Sequence, residues 1–102
     1  MKTYKVIVSD RAKKMLGSHM DFLAQQNEDA ARRVAAELLS AIRSLAAMPD
    51  RYPLFDHAYI PPNKYHKMYV MKYYLLLYQI RNDTMYVDYV IDCRQDYHWL
   101  LN

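Results

Sequence analysis

Basic and aromatic side chains stand near the ends of the predicted strands in the second half of the chain. They are Lys64, His66 and Lys67 at the start of the second strand, Arg81 after the third, and Arg94, Tyr97 and His98 after the last. Metal-free RNA cleavage needs a base for the ribose 2′-hydroxyl, an acid for the leaving oxygen and cations around the phosphate. These residue types supply all three. They are also typical of a solvated strand end, and Arg94 could pair with Asp88, Asp92 or Asp96.

Other chemistries find less support in the sequence. Cys93 is the single cysteine, so neither a disulfide framework nor cysteine-based metal-ligand spacing is present. We expect Cys93 to be a small packing residue, and Asp88 and Asp92 to be solvated or salt-bridged. The sequence therefore predicts no metal and no cofactor.

Length and composition limit the class of protein. The 102 residues predict one domain, residues 1–102, that is large enough for a core of its own. No apolar run approaches the length of a bilayer span, and the N-terminus lacks the apolar segment of a signal peptide. We expect a cytoplasmic protein without membrane contact. The net charge of +3 suits an acidic protein partner or a nucleic-acid backbone.

The segment from Lys64 to Asp96 predicts the antiparallel strands that must position these side chains. The run from Tyr74 to Ile80 is nearly all apolar, as in a central strand buried on both faces. The residues Arg81 to Thr84 predict a tight turn, because Asn and Asp tolerate the left-handed conformation. The following alternation predicts one face with Met85, Val87, Tyr89 and Ile91, and another with Tyr86, Asp88, Val90 and Asp92.

The first half predicts a strand and two helices. Lys2 to Val8 alternates like a first strand, and Ser9 offers an N-cap to an amphipathic helix. Asn27 offers a second N-cap, and Pro49 ends the second helix. The connection from Gln25 to Asn27 is so short that the helices must form an antiparallel hairpin. The order predicts an α+β fold: an N-terminal strand and a two-helix antiparallel hairpin packed on a small, mostly antiparallel, curved sheet of four or five strands.

In this order and in several local motifs, the chain resembles the RelE/ParE superfamily of bacterial type II toxin–antitoxin toxins. The resemblance covers nearly the whole chain. It depends on Ser9-Asp10-Arg11-Ala12, on the hairpin FLAQQNEDAARRVAAELLSAIRSLAAMPDRYP, on Tyr74 and Tyr78 around a leucine run, and on VDYVIDCRQD. The helix exit from Leu45 to Pro49, followed by Tyr52-Pro53, is particularly similar.

The resemblance implies a growth-inhibiting protein, with a role in plasmid stabilisation, that a cognate antitoxin with an acidic tail neutralises. Two mechanisms are known on this fold, which does not itself decide between them. ParE-like members block DNA gyrase, whereas RelE-like members cut mRNA on the ribosome. The long hairpin and overall spacing favour the ParE-like mechanism. A non-toxic binding module on the same fold is a further alternative.

The resemblance also carries candidate site residues. Under mRNA cleavage, Lys67 and Arg94 would bind phosphate, and Tyr97 or His98 would transfer protons. Asp92 and Cys93 stand where many relatives carry His and Gly, which removes an imidazole from the expected acid/base position. Gln95 replaces a second arginine. The predicted antitoxin contacts are Phe22, Leu45, Met48, Tyr52, Phe55 and Tyr89. Exposed tyrosines such as Tyr69 and Tyr73 would suit either a protein interface or base stacking.

Overall fold

The computed structural model describes residues 3–47, 49–56 and 62–94. Its helices and strands follow in the order β1 (Lys5–Val8), α1 (Asp10–Ala24), α2 (Glu28–Ser44), β2 (His66–Val70), β3 (Tyr74–Arg81) and β4 (Thr84–Asp92), with one 3₁₀ turn at Pro49–Arg51. The predicted α+β architecture is confirmed. Met48, Tyr97 and His98 lie outside the described residues.

The four strands form one sheet in the order β1-β4-β3-β2. The β2–β3 and β3–β4 pairs are antiparallel, whereas β1 pairs with β4 in parallel. As predicted, β3 is a central strand that is buried on both faces from Tyr74 to Tyr78. The turn to β4 is also as predicted, with Asn82 in the left-handed region at φ 55°.

The two predicted N-caps form. The Ser9 Oγ atom accepts a hydrogen bond from the Ala12 amide at 3.1 Å, and Asn27 Oδ1 accepts one from the Ala30 amide at 2.9 Å. Each bond satisfies an amide that has no partner within its own helix. The buried stripe of α2 is Ala31, Val34, Leu38 and Ile42. Val34, Leu38 and Ile42 pack with the helix-facing side chains of the sheet.

The strict alternation predicted for β4 is wrong beyond Val87. A β-bulge changes the register between Leu77 and Tyr78, so that Leu77 pairs with Tyr89 and Tyr78 with Val87. The residue between them, Asp88, is the extra one, and the faces exchange there. Met85 and Val87 therefore share the helix-facing core with Val90 instead of with Ile91.

Helix α1 covers the edge of β4 that β1 leaves open. β1 pairs only with Thr84 to Val87, and the Ser9 amide bonds the Val87 carbonyl at 2.9 Å where the pairing ends. Farther along, His19 donates from Nε2 to the Val90 carbonyl at 2.8 Å, because a carbonyl oxygen can only accept. The helix thus satisfies part of a strand edge and brings its C-terminal half next to the end of β4.

Candidate functional site

A cavity of about 270 Å³ opens where the end of α1 meets the end of β4. Its lining residues are His19, Phe22, Leu23, Gln26, Tyr74, Asp92 and Arg94. The volume lies just below the range of 300–1,000 Å³ that small-molecule sites usually have. A single side chain or a small polar group would therefore fill it.

One wall of this cavity holds an ion pair between a buried carboxylate and a half-exposed arginine. Asp92 is only 3% exposed, and its Oδ1 atom lies 3.2 Å from Arg94 Nε, while its Oδ2 atom lies 3.3 Å from a terminal nitrogen of Arg94. Asp92 Oδ1 also accepts the Arg94 backbone amide at 2.9 Å. The hydrogen bond to Asp92 raises the pKa of Arg94. Within the described residues, Arg94 therefore pairs with Asp92, one of the predicted partners, while Asp96 lies outside them.

Aromatic rings complete the surroundings of Arg94. Its guanidinium carbon lies 4.4 Å from the centre of the Tyr73 ring and 5.9 Å from that of Tyr74. Burial raises the pKa of the Tyr74 hydroxyl, and the charge of Asp92 acts in the same direction. Phe22, on the rim of the cavity, is 49% exposed. The site thus combines an oriented cation with exposed aromatic surface, which is common at protein interfaces.

The second candidate phosphate-binding cation lies elsewhere. Lys67 pairs with Leu77, which belongs to the apolar cluster on the sheet face away from the helices, and its Nζ lies 6.0 Å from the Phe55 ring centre. Arg94 contacts Tyr74, which faces the helices. Tyr74 pairs with Val70, which lies three residues after Lys67 in β2. At the rise of a strand, three residues span roughly 10 Å. Lys67 and Arg94 therefore lie on different faces of the sheet.

The predicted antitoxin contacts are divided between surface and core. Phe22 is exposed, and Tyr52 and Tyr89 are half-buried, with Arg51 5.0 Å from the Tyr52 ring and Arg11 4.7 Å from the Tyr89 ring. Leu45 is 0% exposed within the core, and Phe55 is 8% exposed among Tyr65, Leu75, Leu77 and Ile91. A direct contact of Leu45 with a partner is therefore not expected.

A second polar cluster occupies the β-bulge. Asp88 Oδ2 accepts hydrogen bonds from the Tyr65 hydroxyl at 2.8 Å and from Gln79 Nε2 at 2.7 Å. Burial and this bond to Asp88 raise the pKa of Tyr65 above its ordinary value. The cluster fixes the loop before β2 to the sheet and leaves Asp88 with structural hydrogen bonds. No local pattern of residues predicts this cluster, because it depends on the extra residue at the bulge.

The described residues contain neither a candidate metal site nor a helix that could span a membrane. Within 3–47, 49–56 and 62–94, no group of three His, Cys, Asp or Glu side chains could hold a metal ion. In the same part of the chain, neither helix has the length and apolar character needed to cross a membrane.

Comparison with known proteins identifies the family. The family model described as "ParE toxin of type II toxin-antitoxin system, parDE" matches residues 6–97. The chain therefore belongs to the ParE toxin family of type II toxin–antitoxin systems.

The fold also matches a solved structure, the "Chromosomal ParDE TA system from P. aeruginosa", with a TM-score of 0.72. The two chains are 6% identical, and the match covers 88% of this chain and 96% of the other. At this identity the similarity establishes the fold alone. No curated protein matches the sequence.

Proposed function

We propose that this protein, as one toxin domain, arrests bacterial growth by binding DNA gyrase, and that a cognate antitoxin holds it inactive in the cytoplasm. Membership of the ParE toxin family supports the toxin class. The placement of Lys67 and Arg94 on opposite sheet faces favours binding over cleavage. Catalysis would require these cations to surround one scissile phosphate.

The proposed antitoxin carries an acidic tail. The toxin has a net charge of +3 and a pI near 9.0, which would favour association with an acidic segment. Exposed Phe22 and half-buried Tyr52 and Tyr89 offer apolar contact area to such a partner. Met48, which the sequence also predicts as a contact, remains a proposal.

Induced expression in a bacterium tests the mechanism. Protein synthesis and a DNA-damage reporter are followed in the same culture, and the purified protein is added to gyrase in a supercoiling assay. We expect a damage response and filamentation while translation continues, together with loss of supercoiling. An immediate fall in translation with cut mRNA would instead establish ribosome-dependent cleavage.

A double variant separates the two mechanisms at the level of residues. A Lys67→Ala, Arg94→Ala variant that is shown to be folded should retain growth arrest under gyrase binding and lose it under cleavage. Arg32→Ala with Lys13→Ala is the matched control, because both side chains are exposed on the helices and the charge change is equal. Normal growth with folded wild-type protein would favour a non-toxic binding module.

A further inference from the structure

The end of β2 and the turn from β2 to β3 present exposed apolar side chains. Of the six large apolar side chains that are exposed in the described residues, three lie in this short stretch: Tyr69, Met71 and Tyr73. Met71 also lines a groove of about 390 Å³ with Ala30, Arg33, Val34 and Glu37 of α2. On the other side, Tyr73 lies against Arg94 at the 270 Å³ cavity.

The backbone of the turn is strained. Met71 and Lys72 have φ values of 55° and 69°, a left-handed conformation that costs an ordinary residue free energy and suits Asn or Gly. Neither Met nor Lys favours this conformation, so both residues lower the stability of the fold. Core packing does not offset this cost at Met71, because its side chain is 43% exposed. Strain of this kind is commonly found at binding sites.

The carboxylate of Asp92 holds the Arg94 side chain in place. Asp92 holds Nε and one terminal nitrogen, so the remaining N–H groups lie on the side of the guanidinium away from Asp92. The Arg94 side chain is 52% exposed, whereas that of Asp92 is 4% exposed. The buried carboxylate of Asp92 thus orients the half-exposed guanidinium of Arg94. The conformational entropy of the Arg94 side chain is therefore already reduced before a ligand binds.

The charges and the cavity volume indicate the chemistry of a partner. No Asp or Glu occurs between Asp56 and Asp83, whereas that segment has four Lys or Arg residues. The 270 Å³ cavity would take one side chain, and Phe22 and Tyr74 of its lining would contact that side chain. A segment with alternating acidic and apolar side chains fits both features.

We propose that Phe22, Met71, Lys72, Tyr73 and Arg94 form a turn surface that docks an acidic segment of the antitoxin. A carboxylate of that segment binds Arg94, a second lies near Lys72, and an apolar side chain enters the cavity beside Phe22. This inference rests on the proposed function, because the occupant is the antitoxin. It assigns Arg94 to partner binding instead of phosphate chemistry.

The binding test uses the full toxin and the full-length product of the small reading frame next to its gene. Asp92→Asn with Arg94→Gln removes both charges, so that no buried carboxylate is left without its cation. The control is Asp29→Asn with Arg32→Gln, which removes an exposed pair on α2 with a 2.7 Å contact. We expect affinity to fall about tenfold to a hundredfold in the first variant and to stay unchanged in the control.

A second variant tests the turn independently of folding defects. Met71→Asn with Lys72→Gly should raise the urea midpoint, because it relieves the left-handed strain, yet weaken antitoxin binding by about tenfold. Asn82→Gly is the control, since Asn82 is also left-handed but lies in the turn at the other end of β3. It should leave binding unchanged.

The outcomes distinguish this inference from the function on which it rests. Unchanged affinity in both turn-surface variants would overturn the inference and leave the toxin–antitoxin assignment intact. Absence of binding by the wild-type toxin would overturn both. Competition for this surface by a ten-nucleotide oligouridylate, with the same loss in both variants, would assign the surface to single-stranded RNA.

Discussion

Tyr78→Phe tests how the sheet holds the segment that follows α2. Tyr78 is 0% exposed in the middle of β3, and its hydroxyl donates a hydrogen bond to the Pro49 carbonyl. His66 stacks on the same ring at a centroid distance of 5.4 Å and donates from Nδ1 to the Tyr52 carbonyl at 2.7 Å. Together, Tyr78 and His66 fix the segment that carries Tyr52.

The variant should lower the free energy of unfolding at pH 7 by about 1–3 kcal/mol. Phenylalanine retains the ring and its packing but leaves the buried Pro49 carbonyl without this donor, and that range is the usual cost of such a group. The cavity term is small, because only one oxygen is removed. Tyr69→Phe is the control, since Tyr69 is 56% exposed and should change stability by less than about 0.5 kcal/mol.

The pH dependence gives a second, independent magnitude. Burial raises the pKa of Tyr78 in the folded state, so the unfolded chain loses this proton first, near pH 10. The contribution of the protonated Tyr78 hydroxyl to the free energy of unfolding is complete below pH 10. It is lost as the pH rises toward the pKa of Tyr78 in the folded state. The loss is about 1.4 kcal/mol per pH unit for each such tyrosine, and Tyr78→Phe should reduce the alkaline slope by that amount.

Urea titrations at pH 7, 9, 10.5 and 11, with a circular dichroism readout, measure both quantities. A variant as stable as the wild type at pH 7 would refute the role of the Pro49 hydrogen bond. An unchanged slope above pH 10 would refute the claim that the Tyr78 phenol is neutral in the fold. A change in the urea m-value would instead indicate an altered unfolded state.

Other predictions concern the hairpin and the edge of β4. Leu38→Ala should cost about 2–5 kcal/mol in urea unfolding, because Leu38 is 0% exposed in the core, whereas Leu39→Ala, at 41% exposure, should cost far less. Asn27→Ala should cost about 1 kcal/mol through loss of the N-cap of α2, and a full-stability variant would contradict this role. His19→Phe should increase amide hydrogen exchange near Val90, since the carbonyl there loses its donor; unchanged protection would mean that α1 does not stabilise this edge.

Local signals in the sequence predicted much of the fold. Ser9 and Asn27 predict the starts of both helices, because an N-cap depends on residues close to it in sequence. The apolar run from Tyr74 to Ile80 predicts the central strand in the same way. Asn82 likewise indicated its turn. The turn at Met71 and Lys72 was not foreseen as left-handed, since neither residue type favours that conformation.

Features that depend on distant pairing were harder to predict. The bulge at Asp88 comes from the register between β3 and β4, and no residue type marks it. The alternation predicted for β4 is therefore wrong beyond Val87. The resemblance places Leu45 at the antitoxin interface, whereas in the structure its side chain, just after α2, is buried in the core. The cavity at Arg94 was not predicted, because it joins residues from α1, β3 and β4.

The parallel pairing of β1 with β4 has a consequence for biosynthesis. The Ser9 hydroxyl and the Asp88 carbonyl, which meet where this pairing ends, are 79 residues apart in sequence. Chains emerge from the ribosome N-terminus first, so β1 and the helical hairpin are made long before the strand they pack against. β4 also lies between β1 and β3, and its absence would divide the sheet into two pieces. A chain that ends before β4 lacks the strand that joins the two pieces of the sheet, and we therefore expect it not to fold.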